Sequence, residues 1–234
     1  MKNLLLVTGF LFLYYCSAAQ QESIRVKAGE DIAQAFSTNG FYRFPEFRNT
    51  TFKLKDGKIA AAKANYNFLY SEIQYINSKG DTMALDGPEN MENISIGDVH
   101  FIYDKFYMEI VQDADSLKLA KRVVVRINTE KKGGYGESAP AASIDNMRNL
   151  FTSSGVYNLS LSYDVTITKT NTFFWLDQKN NASLATQKNI IKMLTSPGKP
   201  LVEEYIKQNK IEFNKEESLT LLLQYAAPYA KAGK

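Results

Sequence analysis

The single histidine of this 234-residue chain, His100, is the first residue to consider for catalysis. A histidine beside an acid can act as a general base, provided that a nucleophile or substrate site lies next to it. Alternation along a strand over 98–103 places Asp98 and His100 on one face. No G-x-S-x-G or H-E-x-x-H motif accompanies them. We therefore predict an ordinary, half-exposed strand histidine and assign no catalytic residue.

Paired carboxylates are the second kind of chemistry that the sequence could support, since glycoside hydrolysis needs only two acids. The acids of the strand-rich region are Glu72, Asp81, Asp86, Asp98, Asp104 and Glu109. Each falls at a turn or on the polar face of an alternating strand, where solvated acids normally lie. A carboxylate-dependent hydrolase stays an alternative hypothesis, and it requires two acids facing each other across a cleft about 5–10 Å wide.

The sequence contains few residues that could form a metal or cofactor site. One cysteine and one histidine are too few for a zinc site. Asp113 and Asp115 lack the glycine and the distal glutamate of a calcium loop. The glycines of 131–136 do not follow a phosphate-binding pattern. We predict no metal and no cofactor, and the net charge of +3 implies no nucleic-acid-binding surface.

Aromatic residues are abundant, with 14 tyrosines and 14 phenylalanines. The tyrosines that fall in predicted strands are Tyr66, Tyr70, Tyr75, Tyr103 and Tyr107. Exposed tyrosines could stack on sugars or form a protein-binding patch. Because these are spread over several strands, we favour cross-strand packing as their role.

The first nineteen residues have the layout of a secretory signal peptide. Lys2 is followed by an apolar run over 4–15 and by the small residues that end at Ala19. The run is too short for a membrane span, which needs about 20 residues. We predict cleavage after Ala19, export to the periplasm or the medium, and no membrane span in the mature chain.

Cys16 raises the alternative of a lipoprotein anchored at that residue. Leu13 stands three residues before it, as lipoprotein processing prefers, but Tyr15 stands directly before it where a small residue is needed. Simple export is therefore favoured. Cleavage after Ala19 leaves a mature chain without cysteine and hence without disulfides.

From residue 51 onward, the β-branched and aromatic residues follow the pattern of strands, and turn residues bound each run. Strands are predicted over 51–54, 59–64, 65–70, 73–76, 82–85, 93–96, 99–103, 106–111, 117–127, 157–163 and 165–176, with a short helix at 31–36. Asp56-Gly57 favours a hairpin, and Val123–Val125 is typical of a strand buried on both faces. This spacing predicts a mainly β, or α+β, fold: a β domain over 20–185 in which an antiparallel meander forms a barrel or sandwich.

Residues 128–156 are predicted to form a long loop, and residues 186–234 a helical segment packed on the β domain. Thr186 suits an N-cap, Pro200 suits the start of a second helix, and Asn214 suits the cap of a third. The apolar stripe of the third helix is Leu219, Leu222, Leu223 and Ala226.

Several motifs resemble a known family. They are Asn65-Tyr66-Asn67-Phe68-Leu69, Gly80-Asp81-Thr82, Ile94-Ser95-Ile96-Gly97, Tyr135-Gly136, Tyr205-Ile206-Lys207-Gln208-Asn209-Lys210-Ile211 and Phe213-Asn214-Lys215-Glu216-Glu217. Together they are similar to a family of uncharacterised secreted proteins of Gram-negative bacteria. The resemblance implies an exported protein and supports the β fold. It carries over no catalytic residue.

The leading functional hypothesis is a non-enzymatic binding or structural module for a protein or an envelope component. A carrier of a small apolar or lipidic ligand in a half-open barrel is the second hypothesis, and it predicts an apolar cavity of several hundred Å³.

Overall fold

The structure, a computed structural model, describes residues 23–30, 40, 42–129 and 164–231. Its strands are β1 (Ser23–Val26), β2 (Arg48–Leu54), β3 (Ile59–Asn67), β4 (Glu72–Ile76), β5 (Thr82–Ala84), β6 (Met91–Ile96), β7 (Val99–Asp104), β8 (Phe106–Asp113), β9 (Lys118–Thr129), β10 (Val165–Leu176) and β11 (Ala182–Leu184). Its helices are α1 (Gln187–Met193), α2 (Gly198–Gln208) and α3 (Glu216–Ala226), with 3₁₀ turns at Pro88–Asn90 and Ala227–Tyr229.

Some predicted features lie outside the described residues. They are the signal peptide of 1–19 with Cys16 and Ala19, the helix at 31–36, the strand at 157–163, and the predicted loop from residue 130 onward. The first two residues of that loop, 128 and 129, belong to β9 instead.

All of the described strands join one antiparallel sheet, in the order β1-β10-β9-β8-β7-β6-β2-β3-β4-β5, and β11 pairs with β10 beyond β1. The chain makes one meander from β2 to β5, crosses back to place β6 beside β2, and makes a second meander outward. Within the described ranges no pairing joins the β5 edge to the edge formed by β1 and β11. The predicted antiparallel β fold with C-terminal helices is confirmed, and the described strands form an open sheet.

Local chemistry explains where the elements begin and end. The predicted β2–β3 hairpin is confirmed: Asp56 accepts a hydrogen bond from the backbone N–H of Lys58, and Gly57 adopts a φ of 85°. The strand predicted to reach Tyr70 ends at Asn67, because the Asn67 side chain accepts hydrogen bonds from the backbone N–H groups of Leu69 and Tyr70. That Asx turn reverses the chain into β4.

Of three predictions near the helices, one is confirmed and two are corrected. Thr186 caps α1 as predicted, accepting from the backbone N–H of Asn189. The second helix begins at Gly198 rather than Pro200, since proline is tolerated throughout a first turn that needs no backbone donors. The third helix has Lys215 at its N-cap rather than Asn214, and no side chain caps it.

The structure also differs from the sequence-based expectation in the strands around β10. The short strands β1 and β11 were not predicted; they are 4 and 3 residues long and pair only with β10. The run Val123–Val125 is half-buried on both faces rather than fully buried.

The described residues form two apolar cores on one face of the sheet, which we call the inner face. The helical core joins the three helices to the end of the sheet formed by β9 and β10; its sheet residues include Leu119, Phe173 and Trp175. The aromatic core lies on the other half of the sheet, around Tyr66, Phe101 and Tyr107. A smaller cluster around Met108 and Leu176 lies on the opposite face.

The predicted stripe of the third helix is confirmed. Leu219, Leu222, Leu223 and Ala226 are all buried in the helical core. In the described part of the chain, no helix combines the length and the apolar character that crossing a membrane demands.

Gly198, the first residue of α2, is buried against Tyr229, and replacing it with alanine should weaken the fold. A Cβ atom at Gly198 would lie 2.3 Å from the Cβ atom of Tyr229, closer than two carbons can approach. We expect Gly198→Ala to lower the free energy of unfolding by about 1–3 kcal/mol, as overpacked sites do. Urea unfolding followed by circular dichroism measures it. Ser196→Ala, in the exposed turn before α2, is the control, and an equal effect of both changes would contradict the packing argument.

Candidate functional site

His100 lies on β7, exposed, with its Nδ1 atom 2.9 Å from the Ser95 hydroxyl. Asp98 belongs to the exposed turn before β7. Within residues 23–30, 42–129 and 164–231, no group of three or more His, Cys, Asp or Glu side chains is placed to hold a metal ion. Among the described side chains, the Ser95 hydroxyl is therefore the one hydrogen-bond partner that the structure gives His100.

Of the six acids considered in the sequence, one is buried. Glu109 is only 9% exposed, although its alternating strand predicts a solvated position. Asp81, Asp86 and Asp98 are exposed as expected. Glu109 faces inward because its cross-strand partner on β7, Phe101, belongs to the aromatic core and cross-strand partners share a face. A carboxylate in that position needs a cation nearby to offset its desolvation.

Arg43 supplies that cation. Its Nε and Nη2 atoms donate to the two carboxylate oxygens of Glu109 over 2.7 and 3.1 Å. This hydrogen bonding raises the pKa of Arg43, outweighing the opposite effect of burial. A bidentate pair of this kind fixes the orientation of the guanidinium as well as its charge.

Lys121 extends the pair into a cluster. Its Nζ atom lies 3.7 Å from the Glu109 carboxylate and 3.0 Å from that of Glu216, the first residue of α3. On β9, Lys121 lies opposite Phe173 of the helical core, and on its other side it lies opposite Glu109. The ion cluster of Arg43, Glu109, Lys121 and Glu216 thus lies on the inner face between the two apolar cores.

The segment that carries Arg43 is held against the sheet by a buried asparagine. The Asn65 side chain on β3 accepts from the backbone N–H of Phe44 and donates to the Phe44 carbonyl. The backbone N–H of Arg43 donates to the Tyr66 carbonyl over 2.9 Å. These bonds hold the segment against β3, and from there the Arg43 guanidinium reaches Glu109 on the inner face.

A cleft of about 410 Å³ opens beside the ion cluster. Its floor comes from neighbouring positions of β9 and β10, namely Lys121, Val123, Lys169 and Asn171. Its other described walls are Tyr42, Arg43 and Phe68. The volume is within the range of small-molecule sites, roughly 300–1,000 Å³.

Both cationic and apolar side chains line the cleft. Arg43, Lys121 and Lys169 line it, and none of its described lining residues is a carboxylate. The Lys169 ammonium lies 5.1 Å from the centre of the Phe68 ring, within the range of a cation–π contact.

Tyr42 connects the cleft to a buried polar network. Its hydroxyl donates to the Gln74 side chain over 2.7 Å, and Gln74 in turn donates to the Glu72 carboxylate over 2.8 Å. Burial raises the pKa of the Tyr42 hydroxyl and that of the Glu72 carboxyl. Glu72 is thus an acid whose ionisation the fold opposes.

Glu72→Gln should therefore stabilise the protein in a pH-dependent way. The folded-state pKa of Glu72 is above its unfolded value, so the folded state holds the proton more tightly and ionisation destabilises it. Below about pH 4 the side chain is neutral in both states, and the variant should match the wild type. Above the folded-state pKa the variant should be the more stable one. Urea unfolding across this range measures it; a stability difference that does not change with pH would contradict the assignment.

Packing in the aromatic core explains the strand tyrosines that lie there. Tyr103 and Tyr107 are cross-strand partners and meet edge to face with centroids 5.0 Å apart. Tyr66 on β3 instead packs on Phe101 of β7, 5.4 Å away, although β2 and β6 lie between the two strands. Tyr107 is buried, burial raises its pKa, and its hydroxyl has no hydrogen-bond partner among the described residues. Tyr70 and Tyr75 are half-buried. The predicted cross-strand packing is confirmed for Tyr103 and Tyr107, whereas Tyr66 packs across the inner face.

Sequence reasoning missed the residues that build the cleft. Arg43 falls in an irregular segment with no periodicity, and Lys121 and Lys169 lie on different strands, 48 positions apart. The one sequence signal for an inward side chain was strand alternation, which places Lys121 on the same face as the apolar residues Leu119 and Val123.

Comparison with known protein families, with curated proteins and with solved structures finds no match for this chain. The candidate site therefore stands on its geometry alone.

Proposed function

We propose that this chain is a non-enzymatic binding protein of the cell envelope and that its ligand occupies the cleft between the two cores. One observation carries the proposal: polar side chains from three separate parts of the chain converge on a single pocket-sized volume. Cavities of this kind, with a few convergent polar groups, are the usual form of ligand sites.

The surrounding structure is suited to holding a ligand without remodelling. β9 and β10 pair along all 12 residues of each strand, which sets the spacing of the four floor residues. Glu109 orients Arg43, and Glu216 holds Lys121. A preorganised site loses less conformational freedom on binding than one that must form around its ligand.

Binding is favoured over hydrolysis by the state of the nearest acids. Glu109 and Glu216 approach the same lysine and are engaged with cations, so neither carboxylate is presented to the cleft. A general acid and a nucleophile would both have to face the ligand. A purely apolar ligand suits the volume of the cleft but not the cations among its lining residues.

Filling the cleft tests the proposal. The mature protein, purified gently from the organism that makes it, is examined by native mass spectrometry together with Asn171→Trp, which places an indole in the cleft. Asn49→Trp, an exposed position on β2, is the matched control. We expect the wild type and the control to retain a bound small molecule that Asn171→Trp loses. Retention of the same ligand by Asn171→Trp, or no ligand in any of the three proteins, would overturn the proposal.

A further inference from the structure

We infer that β3 docks an extended, acidic segment of a partner protein, which adds to the sheet as a further strand. The acceptor is the edge of β3 over residues 59–62 on the side of β4, which we call the free edge. None of the residues of the free edge is among the described residues that line the cleft. The inference therefore goes beyond the proposed ligand site and does not depend on it.

The free edge exists because β3 extends past the end of β4. β3 pairs with β2 from Ile59 onward but with β4 only from Lys63 onward. β4 ends at Ile76, the cross-strand partner of Lys63, and a tight turn over 77–81 then reverses the chain into β5. Among the described strands, none pairs with the β4 side of residues 59–62.

The hairpin that joins β2 to β3 determines which backbone groups face the free edge. The N–H of Leu54 donates to the carbonyl of Lys58 over 2.9 Å, so the backbone groups of Lys58 face β2. Backbone groups alternate sides along a strand, so those of Ala60 also face β2, while those of Ile59 and Ala61 face away from it. Each of the latter residues therefore offers an N–H group and a carbonyl to an added strand.

The free edge is exposed and carries mostly small side chains. Ile59 is 69% exposed, Ala60 and Ala61 are exposed, and Ala62 is half-buried. An exposed, uncharged edge with unpaired backbone groups is a template for pairing with another chain. In strand addition of this kind, the main-chain hydrogen bonds supply the affinity.

Lysines at the free edge determine the charge of the partner. Lys58 precedes the free edge, Lys63 follows it, and both are exposed; Lys79 is exposed in the adjacent turn over 77–81. Asp56 pairs with Lys58 over 2.8 Å, whereas none of the ion pairs among the described residues involves Lys63. Opposite charges on neighbouring strands are stabilising and like charges are destabilising. A partner strand with carboxylates at its ends is therefore favoured over a basic one.

The same lysines disfavour a second copy of this chain as the occupant. Pairing of two free edges would bring Lys58 and Lys63 of both copies to one short strand pair. Lysines on edge strands are a common protection against this kind of self-association. An acidic partner removes the repulsion and uses the same backbone groups.

Two synthetic peptides test the inference on the purified protein. They are Glu-Thr-Val-Thr-Val-Glu and Lys-Thr-Val-Thr-Val-Lys, with blocked termini, and they differ only in the charge of their end residues. We expect the acidic peptide to bind about tenfold more tightly in fluorescence anisotropy. It should also slow hydrogen exchange of the Ile59 and Ala61 backbone N–H groups, followed by NMR. The N–H of Ala60, which faces β2, should exchange slowly with and without peptide.

Matched substitutions separate backbone pairing from charge. Ala61→Pro removes an N–H group that faces the free edge and keeps the pairing with β2, so it should weaken binding of the acidic peptide about tenfold. Lys63→Glu should weaken it by a similar factor. Ala61→Val, which keeps the N–H group, and Lys188→Glu, at an exposed position of α1, should leave binding unchanged. Circular dichroism verifies that each variant is folded.

Four results would overturn the inference. They are no detectable binding of the acidic peptide, equal binding of the two peptides, acidic binding that survives both Ala61→Pro and Lys63→Glu, and slow exchange of the Ile59 and Ala61 N–H groups before any peptide is added. A dimer in sedimentation velocity that Ala61→Pro dissociates would assign the free edge to a second copy and would also overturn the acidic partner. Each of these results leaves the test of the cleft with Asn171→Trp unaffected.

Discussion

Glu109→Gln is expected to lower the free energy of unfolding by about 3 kcal/mol, as the loss of one partner from a buried ion pair does. The substitution keeps the shape of the side chain and removes its charge. It leaves Arg43 and Lys121, which both approach Glu109, short of a counter-charge between two apolar cores. Urea unfolding monitored by circular dichroism near neutral pH measures the loss.

The same substitution at an exposed ion pair provides the control. Glu92 accepts from Lys53 over 2.8 Å, a distance similar to that of the Arg43–Glu109 bond, but both side chains are about half exposed. Exposed pairs contribute about 0–1 kcal/mol, so Glu92→Gln should have little effect. Equal losses for the two variants would show that the burial of Glu109 does not matter and would contradict its role as the anchor of the cleft.

Trp175→Ala is expected to have the largest effect on stability, about 3–5 kcal/mol. Trp175 is fully buried where β10 meets the helices, and its indole N–H donates to the Thr186 carbonyl at the start of α1. Its removal leaves a cavity in the helical core and removes the hydrogen bond that links β10 to the start of α1. Because this is the single tryptophan of the chain, the variant is followed by circular dichroism rather than by fluorescence.

Two further variants keep the tryptophan prediction testable if Trp175→Ala fails to fold. Trp175→Phe preserves most of the volume and should lose less stability than the alanine variant. Leu221→Ala removes an apolar side chain from the exposed face of α3 and should change the free energy of unfolding by no more than about 0.5 kcal/mol. A loss at Leu221 as large as that at Trp175 would contradict the position of the helical core.

Much of this fold could be predicted from sequence because its signals are local. The Asp56-Gly57 turn, the Thr186 cap and the stripe around Leu222 each depend on neighbours in the chain. The strands β1 and β11 were missed for the opposite reason. They are too short to show a period, and each forms by pairing with the edge of β10 that β9 does not occupy.

The candidate site could not be predicted in the same way because its contacts are distant in sequence. Arg43 and Glu109 are 66 positions apart, and Lys121 and Glu216 are 95 apart. On a sheet with one solvated face, an acid at an alternating position is normally exposed. Glu109 departs from that rule because an irregular segment, held by Asn65, brings a guanidinium over the inner face.

The central proposal, that the cleft is the ligand site, is tested most directly by a crystal structure of the protein purified with its own ligand. We expect electron density for one small molecule bounded by Phe68, Lys121 and Lys169. Ordered water alone in the cleft, with the ligand bound elsewhere on the molecule, would contradict it.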